Sequence, residues 1–153
     1  MEIARRLDLV GISRSVLLLG PRQTGKTWLL KHSFPKAPYF NLLHAETFLR
    51  FSTRPGSLRE ELLALRSSEP IIVDEIQKLP LLLDEIQAMI DELRLRFILT
   101  GSSARKLKRS GVNLLGGRAR IRKLHPLVSP EIGDIDLTSL LAWGSLPPVH
   151  LSD

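Results

Sequence analysis

The segment Gly20-Pro21-Arg22-Gln23-Thr24-Gly25-Lys26-Thr27 sets two glycines, a lysine and a hydroxyl in the spacing G-x-x-x-x-G-K-[ST]. That spacing suits a polyphosphate, because glycines let backbone N–H groups turn inward onto adjacent charges without Cβ interference. The following Trp28-Leu29-Leu30-Lys31 can continue as a helix, whose N-terminus adds the positive end of its dipole. Lys26 is expected to reach the β- and γ-phosphates as a point charge, and the Thr27 hydroxyl to ligate Mg2+. The expected nucleotide contacts are thus Gly20, Pro21, Arg22, Gln23, Thr24, Gly25, Lys26, Thr27 and Trp28.

A second set of residues lies about fifty positions on. Ile71-Ile72-Val73 is an apolar run that ends in Asp74-Glu75, and open α/β sheets bind ligands at the carboxyl ends of their strands. Asp74 is then expected in the Mg2+ shell. Glu75, one residue further, is placed to polarise an attacking water, which a hydrolase needs and a pure binder does not. The run Phe97-Ile98-Leu99 leads into Thr100-Gly101-Ser102-Ser103, where a hydroxyl can sense the γ-phosphate; Ser102 is the first choice and Thr100 the second. Arg118, after Gly116-Gly117, is expected to act as a finger on the nucleotide of a neighbouring subunit. A guanine-specific pattern is missing: N-K-x-D is absent, and the only D-x-x-G, Asp8 to Gly11, precedes the loop.

These residues need a scaffold that brings strand ends together. Ser15-Val16-Leu17-Leu18-Leu19, Pro70 to Val73 and Arg96 to Leu99 are short continuous apolar runs, the pattern of strands buried on both faces of a parallel sheet. Tyr39 to Leu43 and Ala119 to Leu124 supply a fourth and a fifth strand. Between them, Ser57 and Glu60 have capping-box spacing ahead of a stripe of Leu58, Leu62 and Leu65, and Leu82, Ile86, Met89 or Ile90, and Leu93 form a second stripe. Strands alternating with helical stripes predict an α/β fold. The tail Leu140 to Pro148 starts as a helix and stops at prolines, with Trp143 short of chain to bury it.

Composition sets outer bounds. The 153 residues carry a net charge of +6, with 43% hydrophobic and 25% charged residues, which suits one folded domain. No apolar run approaches the ~20 residues of a membrane helix, and the start lacks a continuous signal-peptide core, so a cytoplasmic location is expected. Cysteine is absent, and the four histidines have no metal-ligand spacing, which excludes disulfides, thiol catalysis and cysteine-bound zinc. The basicity is regional: residues 94–123 hold ten Lys or Arg and no acid, whereas the remainder has twelve bases against sixteen acids. That segment reads as a basic face.

The loop, Val73-Asp74-Glu75-Ile76-Gln77-Lys78, Leu99-Thr100-Gly101-Ser102-Ser103, Gly116-Gly117-Arg118-Ala119 and Leu124-His125-Pro126-Leu127 together resemble, in order and spacing, the bacterial and archaeal AAA-type ATPases of the AAA_14 group with a C-terminal DUF4143 region. The resemblance spans nearly the whole chain. It implies a RecA-like ASCE core, a P-loop NTPase with a mostly parallel sheet and helices on both faces. It further implies ATP and Mg2+ as ligands, Lys26 and Thr27 in Walker A, Asp74 and Glu75 in Walker B, Ser102 at sensor 1 and Arg118 at the finger position. Relatives continue past a Trp-Gly-x-Leu-Pro segment like Trp143 to Pro147, so residues 1–133 are expected to be the ATP-binding core and 134–153 the start of a truncated C-terminal region. A homo-oligomer or the missing domain is the expected partner. Competing readings are a nucleic-acid-associated module using residues 94–123, for which only weak and salt-sensitive binding is expected, and a shortened paralogue that binds ATP without turnover. A small-molecule kinase also uses such a loop, but Glu75 argues against it.

Overall fold

A computed structural model describes residues 3–102, 115–132 and 137–151. The chain runs β1 (Ser15–Leu19), α1 (Lys26–Ser33), β2 (Tyr39–Asn41), α2 (Ala45–Thr53), α3 (Ser57–Leu65), β3 (Ile71–Asp74), a 3-10 turn (Ile76–Lys78), α4 (Leu82–Leu93), β4 (Phe97–Gly101) and β5 (Ala119–Lys123). Three short helices follow: α5 (Ser129–Ile132), α6 (Leu137–Trp143) and α7 (Pro147–Leu151).

The strands form one five-stranded sheet in the order β2-β3-β4-β1-β5, and every pairing is parallel. Alternation along the strands sends side chains to two separate cores. Leu17, Leu19, Ile71, Val73, Phe97 and Leu99 meet Phe51, Leu58, Leu62, Leu82, Ile86 and Met89 of α2, α3 and α4 on one face. Val16, Leu18, Ile72 and Ile98 meet Leu29, Leu30 and Phe34 of α1 and its end, with Leu9 and Leu124, on the other. Helices therefore cover both faces, and the continuous apolar character of β1, β3 and β4 follows from burial on both sides.

The helical stripes hold at their centres and fail at their ends: Leu58, Leu62, Leu82, Ile86 and Met89 are buried, but Leu65 is exposed and Leu93 sits at the exposed margin. The capping box at α3 does not form. Gly56 precedes the helix without a side-chain cap; Ser57 donates instead to the Arg54 carbonyl, and Glu60 pairs with the Arg54 guanidinium. A nearby arginine outcompetes the backbone N–H for the Glu60 carboxylate.

The parallel arrangement brings the C-terminal ends of β1, β3 and β4 side by side. Gly20 joins them closely: its N–H bonds the Gly101 carbonyl, and a Cβ there would run into the backbone oxygen of Leu124. Among the described residues, no helix is long and apolar enough to cross a membrane.

Candidate nucleotide site

The loop between β1 and α1 folds as its glycines require. Gly25 takes φ +82° immediately before α1, a conformation that L side chains rarely adopt. Gln23 is also left-handed at φ 64°. The Thr24 hydroxyl donates to the Pro21 carbonyl at 2.9 Å and is fully buried, so the loop is braced from inside. Lys26 curls back over it: its Nζ donates to the carbonyls of Gly20 at 2.8 Å and Pro21 at 2.7 Å. Burial lowers the pKa of this ammonium, Glu75 and Asp74 pull it back up, and Arg22 adds to the lowering.

Asp74 is 3% exposed and surrounded by hydroxyls. Thr27 Oγ1 donates to its Oδ2 at 3.0 Å, Tyr39 donates to the same oxygen, and Thr100 donates to Oδ1. Burial, with the Asp74 carboxylate as acceptor, pushes the Tyr39 phenol well above its usual range. Thr100 Oγ1 also accepts the Glu75 N–H at 2.9 Å, which helps hold Glu75 at φ 63°. The Glu75 carboxylate accepts from the Gln77 amide, and the same Gln77 nitrogen lies 3.5 Å from Ser102 Oγ.

Of these groups, Lys26, Thr27 and Glu75 line a cavity of about 820 Å3. Among the described residues, Arg5, Arg22, Lys26 and Lys31 line it against one acid, Glu75, so its walls are positive where a polyphosphate would lie. Gln23, Gly25, Thr27 and Trp28 also line it, and Trp28 stacks on His32 with ring centroids 4.9 Å apart. The apolar part of the wall comes from Ile3, Leu43, Leu127, Pro147 and Pro148. The C-terminal helices thus return to the loop: Leu127 N–H bonds the Ser145 carbonyl at 2.7 Å, and Pro147 stands 4.0 Å from a Cβ built on Gly25.

A family of AAA domains, AAA_14, matches residues 13–133. The chain belongs to that family. Two uncharacterised proteins, one of Mycobacterium bovis and one of Mycobacterium tuberculosis, are each 32% identical to it over 136 residues, which is 87% of this chain and 30% of theirs. The chain therefore spans under a third of the length of these relatives. Among solved structures, a Walker-type ATPase of Pyrococcus abyssi is similar at TM-score 0.56 and 18% identity, over 89% of this chain and 60% of that one. PCH-2 of C. elegans is similar at TM-score 0.52 and 17% identity, over 81% of this chain and 38% of that one. At these identities the likeness concerns the fold.

This AAA domain gathers Lys26, Thr27, Asp74, Glu75 and Thr100 at the strand ends, and Ser102 touches that group only through Gln77. Arg118 stands elsewhere. It precedes the N-terminal end of β5, where Ala119 pairs with Ser15, and the phosphate loop leaves the far end of β1. Four residue steps of strand separate the two ends, about 13 Å. Arg118 binds Asp91 of α4 through Nε at 2.7 and 2.8 Å, and the guanidinium holds the Asp91 carboxyl below the usual carboxylate range.

Among the described residues, the basic segment does not present one face. Arg96 packs over Phe34 on the α1 side and donates to the Ile12 carbonyl, whereas Arg118 turns to α4 on the opposite side. Strand alternation and local acceptors divide the charges, and only Arg120 and Lys123 are plainly exposed along β5. Arg105, Lys106, Lys108 and Arg109 lie outside the described residues, as does Ser103. Trp143, at 74% exposure, and Leu141, at 78%, are uncovered.

Proposed function

We propose that the chain binds Mg·ATP in the loop of residues 20–27 and hydrolyses it. The observation that carries this reading is the meeting of two separate stretches of sequence at one positively lined cavity: Lys26, Thr27 and Glu75 line it, and Asp74 stands behind them in a bond with Thr27. The donor set fits Mg2+. Thr27 Oγ1 and Asp74 Oδ2 are hard oxygens 3.0 Å apart, and among the described residues no cluster of three or more His, Cys, Asp or Glu exists to hold a metal alone. Mg2+ keeps waters and substrate phosphates as ligands, so one hydroxyl and one carboxylate suffice from the protein.

When bound, Mg2+ would neutralise charge on the phosphate oxygens. The protein's own residues do the rest. Lys26 exchanges two neutral carbonyl acceptors for charged phosphate oxygens, a stronger class of hydrogen bond. The amides at the start of α1, unpaired within the helix, face the anion. Glu75, released from Gln77, accepts the proton of the attacking water. Ser102 and Thr100 report the γ-phosphate to that carboxylate through Gln77 and the Glu75 N–H. Arg118 cannot reach the nucleotide of its own subunit across a strand length, so a finger role requires a second copy. Residues 1–133 serve as the ATP-binding core, and Pro147 and Pro148 close one side of its cavity.

Calorimetry tests the reading. Lys26→Ala should weaken Mg·ATP binding at least tenfold, about 1.4 kcal/mol, and Glu75→Gln should bind as the parent while hydrolysing more slowly. Equal affinity of the parent and Lys26→Ala would end the assignment.

A further inference from the structure

Arg5 precedes β1 and lies outside residues 13–133, the stretch that the family match covers. Its guanidinium nonetheless reaches the centre of the site. One terminal nitrogen donates to the Thr24 carbonyl in the phosphate loop, the other to the His125 carbonyl at 2.7 Å beyond β5, and Nε to Glu131 Oε1 of α5 at 3.1 Å. Glu131 is fully engaged in return: Oε1 also accepts the Arg6 N–H at 2.7 Å, and Oε2 the Val128 N–H at 3.1 Å. The two charged side chains are only 4% and 3% exposed. Surface ion pairs sample many geometries, but this buried pair is bonded on every side and holds one.

The bond to Thr24 fixes more than an oxygen. In a planar trans peptide the C=O and the next N–H point in opposite directions, so a donor that holds the Thr24 oxygen also sets the direction of the Gly25 N–H. That amide stands at the start of α1 among those a phosphate would use. The loop's own sequence leaves this peptide free to turn, because Gly25 accepts either sign of φ at little cost and sits at +82°. We infer that Arg5, braced by Glu131, is a positioning residue that locks the Thr24–Gly25 peptide of the phosphate loop in its anion-binding orientation. The inference rests on the nucleotide reading for its consequence and on the loop geometry for its mechanism.

Arg5→Met alone strands the Glu131 carboxylate in a buried site and can unfold the chain, so the informative variant is Arg5→Met/Glu131→Leu. Replacing a buried ion pair by apolar residues of similar size is often tolerated. Two measurements are made on the full chain: titration with ADP in the absence of metal, and the Gly25 amide resonance in the ligand-free protein. The expected result is a melting temperature close to the parent, ADP affinity reduced at least tenfold, and a displaced Gly25 amide. Unchanged ADP affinity, or weakened binding with the Gly25 amide unmoved, would overturn the proposal; the latter would mean that only the charge of Arg5 had been lost. A parent that binds no ADP, with the Gly25 amide still displaced in the variant, would end the nucleotide reading and leave the loop-locking role standing.

Discussion

Thr100 offers a sharp test of how the site is held together. Its hydroxyl is fully buried at the C-terminal end of β4 and serves two neighbours at once, donating to Asp74 Oδ1 and accepting the Glu75 N–H at 2.9 Å. Thr100→Val keeps the branched shape and removes both bonds. Each buried polar group left without a partner costs about 1–3 kcal/mol. The extra apolar contact of the new methyl returns roughly 0.8 kcal/mol. The net loss is therefore on the order of 3 kcal/mol, a large share of the ~5–15 kcal/mol by which such domains are stable. At roughly 2–4 °C per kcal/mol for a chain of this size, the melting temperature should fall by about 6–12 °C.

Thr100→Ser is the control. It keeps the oxygen and gives up one methyl group, so it should cost about 1 kcal/mol. The order of stability expected from thermal denaturation is parent, then Ser, then Val. Function should follow the same bond: Glu75 sits at φ 63°, and once its N–H loses Thr100 the carboxylate is no longer held in place, so turnover should drop further than ATP affinity. A Val variant that melts at or above the Ser variant would refute the reasoning, because it would show that the two bonds at Thr100 contribute nothing beyond packing.

Two further outcomes are expected. Gly20→Ala places a methyl against the Leu124 backbone, where no side chain can yield, so it should cost about 3 kcal/mol or more in a urea titration and disrupt the phosphate loop with it. Arg118→Ala removes a solvent-accessible ion pair to Asp91 and a local bond to the Gly116 carbonyl and should leave melting almost unchanged, yet it should slow ATP hydrolysis at protein concentrations where sedimentation shows self-association; brisk turnover by a strict monomer, unaffected by the substitution, would exclude the finger role.

What the sequence made legible was chemistry carried by fixed local spacing. Lys26 and Thr27 are adjacent, Asp74 and Glu75 are adjacent, and both pairs follow apolar runs whose burial on two faces already implies a parallel sheet. The strands came out in the expected places, with ends displaced by a residue or two because the last pairings depend on neighbours rather than on composition. In sequence Tyr39 is only the start of a strand, since nothing in a tyrosine beside Phe40 says that its hydroxyl reaches Asp74, 35 positions away. Gln77 belongs to the Val73 to Lys78 motif, but its bond to Glu75 depends on the left-handed turn that Glu75 itself makes. Thr100 ranked second to Ser102, although strand alternation and full burial make it the hydroxyl that touches both Asp74 and Glu75.

Arg5 and the C-terminal prolines show a deeper reason for illegibility. Arg5 meets Glu131 across 126 residues of sequence, and Pro147 meets the loop from the far end of the chain. Such contacts have no period and no motif, because they arise from closure of the sheet: β5 pairs with β1, its end carries the chain past Leu124 and His125 to α5, and α7 then returns beside Gly25. The segments before β1 and after β5 are thereby brought to the same end of the sheet as the phosphate loop. The local motif supplies the phosphate-binding groups, whereas most of the apolar wall of the cavity comes from segments remote in sequence, Ile3 before β1 and Leu127, Pro147 and Pro148 after β5, with Leu43 between them. Glu131 and Arg5 thereby form a continuous bonded path from α5 to the Thr24–Gly25 peptide, beside the direct approach of Pro147 to Gly25.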